Sequence, residues 1–416
     1  MKDWVHIVAN KFIPNLLKAE NVSRKALKQD SETLQQENDF DQGFCREIVH
    51  DVYAEALEYY FQKKYHKALP LFIKSAELDN TNAQNYLGIM YQNGYGVNQD
   101  YQTAAEWYLK AAIQGNAWGQ NNLGWLYENG YGVTQDYQKA VELYLKAALQ
   151  DNACGQNNLG CLYENGHGIT QDYQKAAEWY LKAALQGNAL GQTNLGCLYR
   201  NGHGVIQDYQ QALEWFRKAA LQGSANAQCN LGWMYRNGYG VTQDYETAVA
   251  WYRKAAAQDN AWAQCSLGTM YRKGYGVTQD YETAVEWYLK AAAQNNASAQ
   301  CNLGYMYENG YGVTQNYQTA AKWYYKAAKQ GEVTAQGNLG WLYRNGYGVI
   351  QDYQRAAKWY RKAAEQGEAN AQSNLGWMYE YGYGVTQDYQ TAITWYRKAA
   401  AQDDEYAQKA LQRLLQ

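Results

Sequence analysis

His167 and His203, the repeatedly spaced cysteines and a recurring Gly-x-Gly loop are the groups in this 416-residue chain whose types suit catalysis or metal binding. The two histidines stand beside glycines, in Gly166-His167-Gly168 and Gly202-His203-Gly204, 36 positions apart. A metal centre needs several converging N, S or O ligands, and neither histidine has a carboxylate or cysteine repeating beside it. Cys161 and Cys197 share the same spacing, as do Cys229, Cys265 and Cys301. Equivalent positions in stacked helical layers lie about 8–10 Å apart, too far for a disulfide. The segment Asn93-Gly94-Tyr95-Gly96-Val97 superficially matches a phosphate loop. A dinucleotide fingerprint follows a strand and occurs once, whereas this Gly-x-Gly follows a helical pattern and returns nine times, so it reads as a turn. No nucleophile, base and orienting group occur together outside the repeated pattern. The expectation is therefore a non-enzyme with no catalytic residue, metal or cofactor. What remains is contact chemistry, carried by Trp, Tyr and Arg, the types enriched at binding hot spots.

All of these residues recur with one period, which fixes the elements that must position them. A Leu-Gly pair appears at Leu87-Gly88, Leu123-Gly124, Leu159-Gly160, Leu195-Gly196, Leu231-Gly232, Leu267-Gly268, Leu303-Gly304, Leu339-Gly340 and Leu375-Gly376. Strict spacing of this kind marks a stacked-repeat solenoid. In the unit 80–115, Asn80 is placed to cap a first helix carrying Ala83, Leu87 and Tyr91 on one face. Asn93-Gly94-Tyr95-Gly96 ends it, because glycine reaches the left-handed conformation of a helix stop. Asp100 then caps a second helix through Ala104, Trp107, Tyr108, Ala111 and Ala112. Glycine inside a helix costs about 1 kcal/mol relative to alanine, so a side chain at Gly88 is expected to clash with the neighbouring helix. The nine units run 80–115, 116–151, 152–187, 188–223, 224–259, 260–295, 296–331, 332–367 and 368–403. Residues 45–79 read as a degenerate capping unit and 404–416 as a capping helix with Leu411 in register with Leu375. Residues 1–44 read as an amphipathic helix over 1–18, with Trp4, Val5, Ile7, Val8, Phe12, Ile13, Leu16 and Leu17, followed by a polar tether.

Composition narrows the function classes. A net charge of −3 gives no bulk attraction to nucleic acid or acidic membrane. No apolar run reaches the roughly eighteen residues of a transmembrane helix, and residues 1–18 lack the continuous apolar centre of a secretory signal. With cysteines spaced beyond disulfide reach, a reduced, cytoplasmic setting is expected. Tyr (42) and Trp (15) far outnumber Phe (6), which suits thin layers whose aromatics keep one edge near water.

The Leu-Gly pair, the following Tyr, the Asn-Gly-x-Gly-Val loop and the Ala-x-x-Trp-Tyr-x-Lys-Ala-Ala segment together resemble the Sel-one-like repeat (SLR) family over residues 80–403. The resemblance implies an all-α, right-handed α-solenoid of stacked helical hairpins, similar to tetratricopeptide repeats, whose first helices line the concave side. It also implies a bacterial adaptor or scaffold for protein complexes. Some secreted relatives pair two cysteines within each repeat, a pattern this chain lacks.

Comparing the chain with itself locates the candidate site. Between the units 100–135 and 280–315, Trp118/Ser298, Asn121/Cys301 and Trp125/Tyr305 differ and fall on one first-helix stripe, which Glu128/Glu308 continues. The partner-binding residues read from this stripe are Trp118, Trp125, Arg200, Trp233, Arg236, Trp262, Arg272, Tyr305, Trp341, Arg344 and Trp377. The plain alternatives are gap-filling tryptophans and a solvated arginine row balanced by glutamates. Second-helix tryptophans such as Trp107, Trp179 and Trp215 recur almost everywhere and read as core. The expected function is a non-catalytic scaffold that binds a protein or peptide in the concave groove, with an acidic segment suiting Arg200, Arg236 and Arg272. Two other readings stand beside it: a hydrolase acting on cell-wall-like substrates, and an organiser tethered to a membrane through residues 1–18.

Overall fold

The computed structural model describes residues 51–415. The helix and tether expected over 1–44, and residues 45–50 of the degenerate unit, lie outside the described residues. Every regular element among the described residues is an α-helix. The helices divide into two units at Gln171 and Asp172, and each unit is a stack of helical hairpins. In the first unit the first helices are Thr81–Asn93, Ala117–Asn129 and Ala153–Asn165, alternating with second helices Tyr65–Glu77, Tyr101–Ile113 and Tyr137–Ala148. In the second unit the first helices are Ala189–Asn201, Ala225–Asn237, Ala261–Lys273, Ala297–Asn309, Val333–Asn345 and Ala369–Tyr381. Their second helices run from Tyr173–Leu185 and Tyr209–Leu221 to Tyr389–Ala400, and Glu405–Leu414 packs on the last of them.

Local chemistry sets each boundary where the sequence places it. The Asn80 side chain accepts a hydrogen bond from the Ala83 amide at 2.9 Å, and Ser224, Glu332 and Glu368 take the same role in later repeats. Gly94 adopts φ +70° and stops the first helix. The loop then folds back, with the Asp100 amide donating to the Tyr91 carbonyl at 2.9 Å and Gln99 Nε2 to the Gln92 carbonyl at 2.8 Å. Asp100 caps the second helix through the Gln102 and Thr103 amides. The threonine hydroxyls and amides bonded to Asp100, Asp244, Asp280 and Asp388 hold these carboxyls below the usual range. A depressed acid pKa contributes stability above the unfolded value and loses it as pH falls through the folded one, so these caps weaken in acid.

Packing explains the glycine inside each first helix. A Cβ built on Gly88 would lie 2.4 Å from the Tyr108 ring, and one on Gly232 2.6 Å from the Tyr252 ring. The second helix of the same hairpin is therefore the neighbour that excludes a side chain, and its tyrosine is wholly buried. Alanines such as Ala104, Ala111 and Ala83 line the remaining contacts and let the helices close.

A polar ladder, which the sequence reading did not single out, ties successive repeats. Buried Gln228 donates to the Ala220 carbonyl at 3.2 Å and accepts from Gln258 Nε2 at 2.9 Å. Gln120, Gln192, Gln336 and Gln372 repeat both bonds. Each ladder adds a second donor to a helix-end carbonyl that also accepts from a backbone amide, as Ala220 does from Gly223 at 3.0 Å.

Candidate functional site

The first-helix stripe is neither wholly buried nor wholly solvated. Its second row faces the interior: Asn121, Cys265, Cys301 and Ser373 are buried. Its first and third rows open outward. Trp262 is 64% exposed and Trp118 52%, and Tyr305 and Trp341 each reach 36%. Trp125, Trp233 and Trp377 are half-buried. Trp118 and Trp125 belong to the unit ending at Gln171, and the other residues read from the stripe belong to the unit that follows. Trp233 and Trp377 also pack against two core clusters each, so these rings fill space between layers while keeping one edge outside.

Loop tyrosines enlarge this aromatic surface. Trp233 packs on Tyr239 with centroids 4.9 Å apart, and Tyr239 stacks on Tyr209 at 4.7 Å. The same three-ring arrangement holds Trp341 on Tyr347 and Tyr317, Trp377 on Tyr383 and Tyr353, and Trp125 on Tyr131 and Tyr101. Each added ring pair is worth about 0.5–1.5 kcal/mol beyond its area, which favours one orientation for Trp125, Trp233, Trp341 and Trp377. The sequence reading treated these tyrosines as turn residues only. A signal was present: Trp233, Trp341 and Trp377 are each followed six positions on by tyrosine, whereas Cys161 and Cys197 are followed by His167 and His203. Those histidines pack at a tilt on Tyr137 and Tyr173, with centroids 4.7 and 4.9 Å apart. Among the described residues no three His, Cys, Asp or Glu side chains converge as a metal site. Burial pushes the Cys229 and Cys265 thiols up to about 12, which keeps them protonated and poor nucleophiles.

The fourth row divides into two kinds of contact. Its acids and amide accept bonds from the buried second-helix tyrosines: Tyr144 donates to Glu128 at 2.6 Å, Tyr324 to Glu308 at 2.5 Å, Tyr396 to Glu380 at 2.8 Å and Tyr108 to Gln92 at 2.9 Å. Its arginines reach the next layer. Arg200 donates to Asn230 Oδ1 at 2.6 Å and lies 5.3 Å from the Trp233 ring, and Arg344 donates to Asn374 Oδ1 at 2.7 Å and lies 3.8 Å from Trp377. Arg272 lies 5.3 Å from Tyr305. Where Arg200 stands, the paired second-helix residue is Phe216, which has no hydroxyl to satisfy.

Burial pushes the Glu308 carboxyl above its ordinary 4.5, with the Tyr324 hydroxyl pulling the other way. An acid whose folded pKa is raised contributes stability below the unfolded value and loses it as pH rises through the folded one. Ionised Glu308 is therefore a net cost at neutral pH. Glu308→Gln preserves an acceptor for Tyr324, as Gln92 does for Tyr108. Its thermal midpoint should exceed wild type at pH 7 and match it near pH 4. A lower midpoint at pH 7 would show that the charge stabilises.

The second-helix tryptophans differ from the expected core. Trp215 and Trp359 are buried, but Trp107, Trp251, Trp287, Trp323 and Trp395 are half-buried. A lysine three positions on covers the outer ring face, with Lys110 3.8 Å from Trp107 and Lys326 4.3 Å from Trp323. The helix period puts a residue three positions away on the same face, and the long aliphatic stem lets the ammonium stay in water.

Comparison with known proteins adds a family. The model of the Sel1 repeat matches residues 81–116, 119–152, 155–188, 189–224, 225–260, 263–296, 297–332, 333–368 and 369–404. A solved Sel1 repeat protein from Oxalobacter formigenes is 35% identical, covering 74% of this chain and 89% of that one, with a TM-score of 0.54. A protective antigen of uropathogenic Escherichia coli strains, described as displaying an SLR fold, is 36% identical, with 92% and 90% covered and a TM-score of 0.47. A search of curated proteins finds no match.

Proposed function

Because the chain belongs to the Sel1 repeat family, whose repeats generally serve as protein-interaction scaffolds, we propose that it is a non-catalytic scaffold binding a peptide or protein on its first-helix stripe. The observation that carries this reading is the row of partly exposed aromatics packed on loop tyrosines in the unit after Gln171: Trp233, Tyr305, Trp341 and Trp377, with Trp262 beside them. Aromatic anchors dominate binding when they are fixed beforehand, since little freedom is then lost on association. Trp118 and Trp125 supply a smaller surface of the same kind in the preceding unit. Arginines along the row suit a partner with an acidic segment. The free thiols of Cys229, Cys265 and Cys301 support a reducing compartment, as in the bacterial cytoplasm.

Affinity capture from the native cell, read by mass spectrometry, tests the proposal with wild type beside Trp233→Ala/Trp341→Ala. A partner retained by wild type and lost by the variant is the expected result. Identical captures would remove the stripe from the account.

A further inference from the structure

One layer of the stripe departs from the others in the neighbours available to its arginine. Tyr252 is wholly buried and its hydroxyl has no hydrogen-bond partner, with Arg236 and Ser266 beside it, and Tyr360 beside Arg344 is in the same state. In four other repeats the equivalent hydroxyl donates to Gln92, Glu128, Glu308 or Glu380. A buried hydroxyl without an acceptor costs about 1–3 kcal/mol, and Phe216 shows that the chain tolerates its removal at this position. The Arg272 Nε is also buried without an acceptor.

The substitutions around these donors remove their partners. Arg200 and Arg344 are held by Asn230 and Asn374 and lie on Trp233 and Trp377. For Arg236 the corresponding neighbours are Ser266 and Thr269, both too short for those contacts. Thr269 also leaves the aromatic row open between Trp233 and Tyr305, and its hydroxyl is engaged by Tyr288 at 3.1 Å. The guanidiniums of Arg236 and Arg272 both act on the Cys265 thiol between them. Among the described residues no carboxylate lies within ion-pair distance of either arginine. Two cations and a buried O–H thus flank the Thr269 layer with no carboxylate paired to them.

We propose that the gap at Thr269 is an oxyanion seat, in which Arg236 and Arg272 receive a carboxylate or phosphate group borne by the bound peptide and Tyr252 donates beside Arg236. This rests on the stripe being the binding face, and it separates the arginines that read charge from those that brace the stack. Two guanidiniums supply the paired donors that planar carboxylates and phosphates require. The unsatisfied Tyr252 hydroxyl is then a cost of the empty state that the ligand removes.

Titration of the full chain with inorganic phosphate and with glutarate, against chloride at matched ionic strength, tests the seat by calorimetry and thermal midpoint. Wild type should bind and rise in midpoint. Arg236→Gln and Thr269→Trp should weaken binding at least tenfold, and Arg344→Gln should leave it unchanged. Tyr252→Phe should raise the midpoint without ligand and reduce the rise with it, a pair of shifts that loss of packing does not produce. Tighter binding of phosphate than of glutarate would assign the seat to a phosphorylated residue, and the reverse order to an acidic one. Equal loss in Arg344→Gln and Arg236→Gln, or no binding by wild type, would overturn the seat. A partner captured equally by wild type and Arg236→Gln, but lost by Trp233→Ala/Trp341→Ala, would overturn it while leaving the stripe intact.

Discussion

Gly348→Ala is expected to destabilise the second unit by about 3 kcal/mol or more, whereas Gly367→Ala should cost only about 1 kcal/mol. Both glycines have positive φ, +68° and +94°, so both substitutions strain the backbone. They differ in what an added Cβ meets. At Gly348 it would fall 2.2 Å from the Tyr317 carbonyl carbon and 2.5 Å from the Gln318 nitrogen. These are backbone atoms at the start of a helix, and they cannot yield without separating two repeats. At Gly367 nothing lies within 4 Å. In a stacked array each repeat is held mainly by its neighbours, so the Gly348 change should also open one interface before the rest. Urea unfolding of the two variants gives the comparison, and hydrogen exchange locates the opening. Equal losses would mean that conformational strain, not the contact between layers, explains the second loop glycine.

Gln228→Leu should cost about 1–2 kcal/mol, the net worth of two hydrogen bonds, even though leucine is the more apolar residue. The change removes the partner of the Gln258 amide and one of the two donors to the Ala220 carbonyl, which the Gly223 amide still meets at 3.0 Å. Gln258→Ala leaves the buried Gln228 Oε1 without its donor and should cost about 1 kcal/mol. Chemical denaturation of both measures the difference. A neutral Gln228→Leu would show that water replaces the ladder.

These two cases show what the chain made legible. Leu87-Gly88, the Asn and Asp caps and Gly94 announce helix starts, stops and a close approach, because each rests on a local rule of backbone geometry. The clash foreseen at Gly88 has its counterpart in the Tyr108 ring. The glutamine ladder was not legible, because Gln228 and Gln258 meet only when repeats stack, and nothing local marks their pairing. Glu128 and Glu308 gave the opposite difficulty: their variation along the stripe looked like recognition, yet they serve buried tyrosines on the partner helix. Reading Arg200 with Phe216, and Glu308 with Tyr324, as pairs across the hairpin separates bracing from binding. Trp233 and Trp341 stand outside those pairs, since each keeps part of its ring exposed beside a loop tyrosine.

The central claim is that the partner contacts the first-helix stripe and not the second-helix face. Equilibrium titration of a captured partner against Trp233→Ala, Trp341→Ala and Tyr325→Ala tests it most directly, since Tyr325 is 45% exposed on a second helix. Each tryptophan variant should bind about 30-fold more weakly, equivalent to ~2 kcal/mol, with Tyr325→Ala within about threefold of wild type. Weakening by Tyr325→Ala alone, with both tryptophan variants unchanged, would contradict the account.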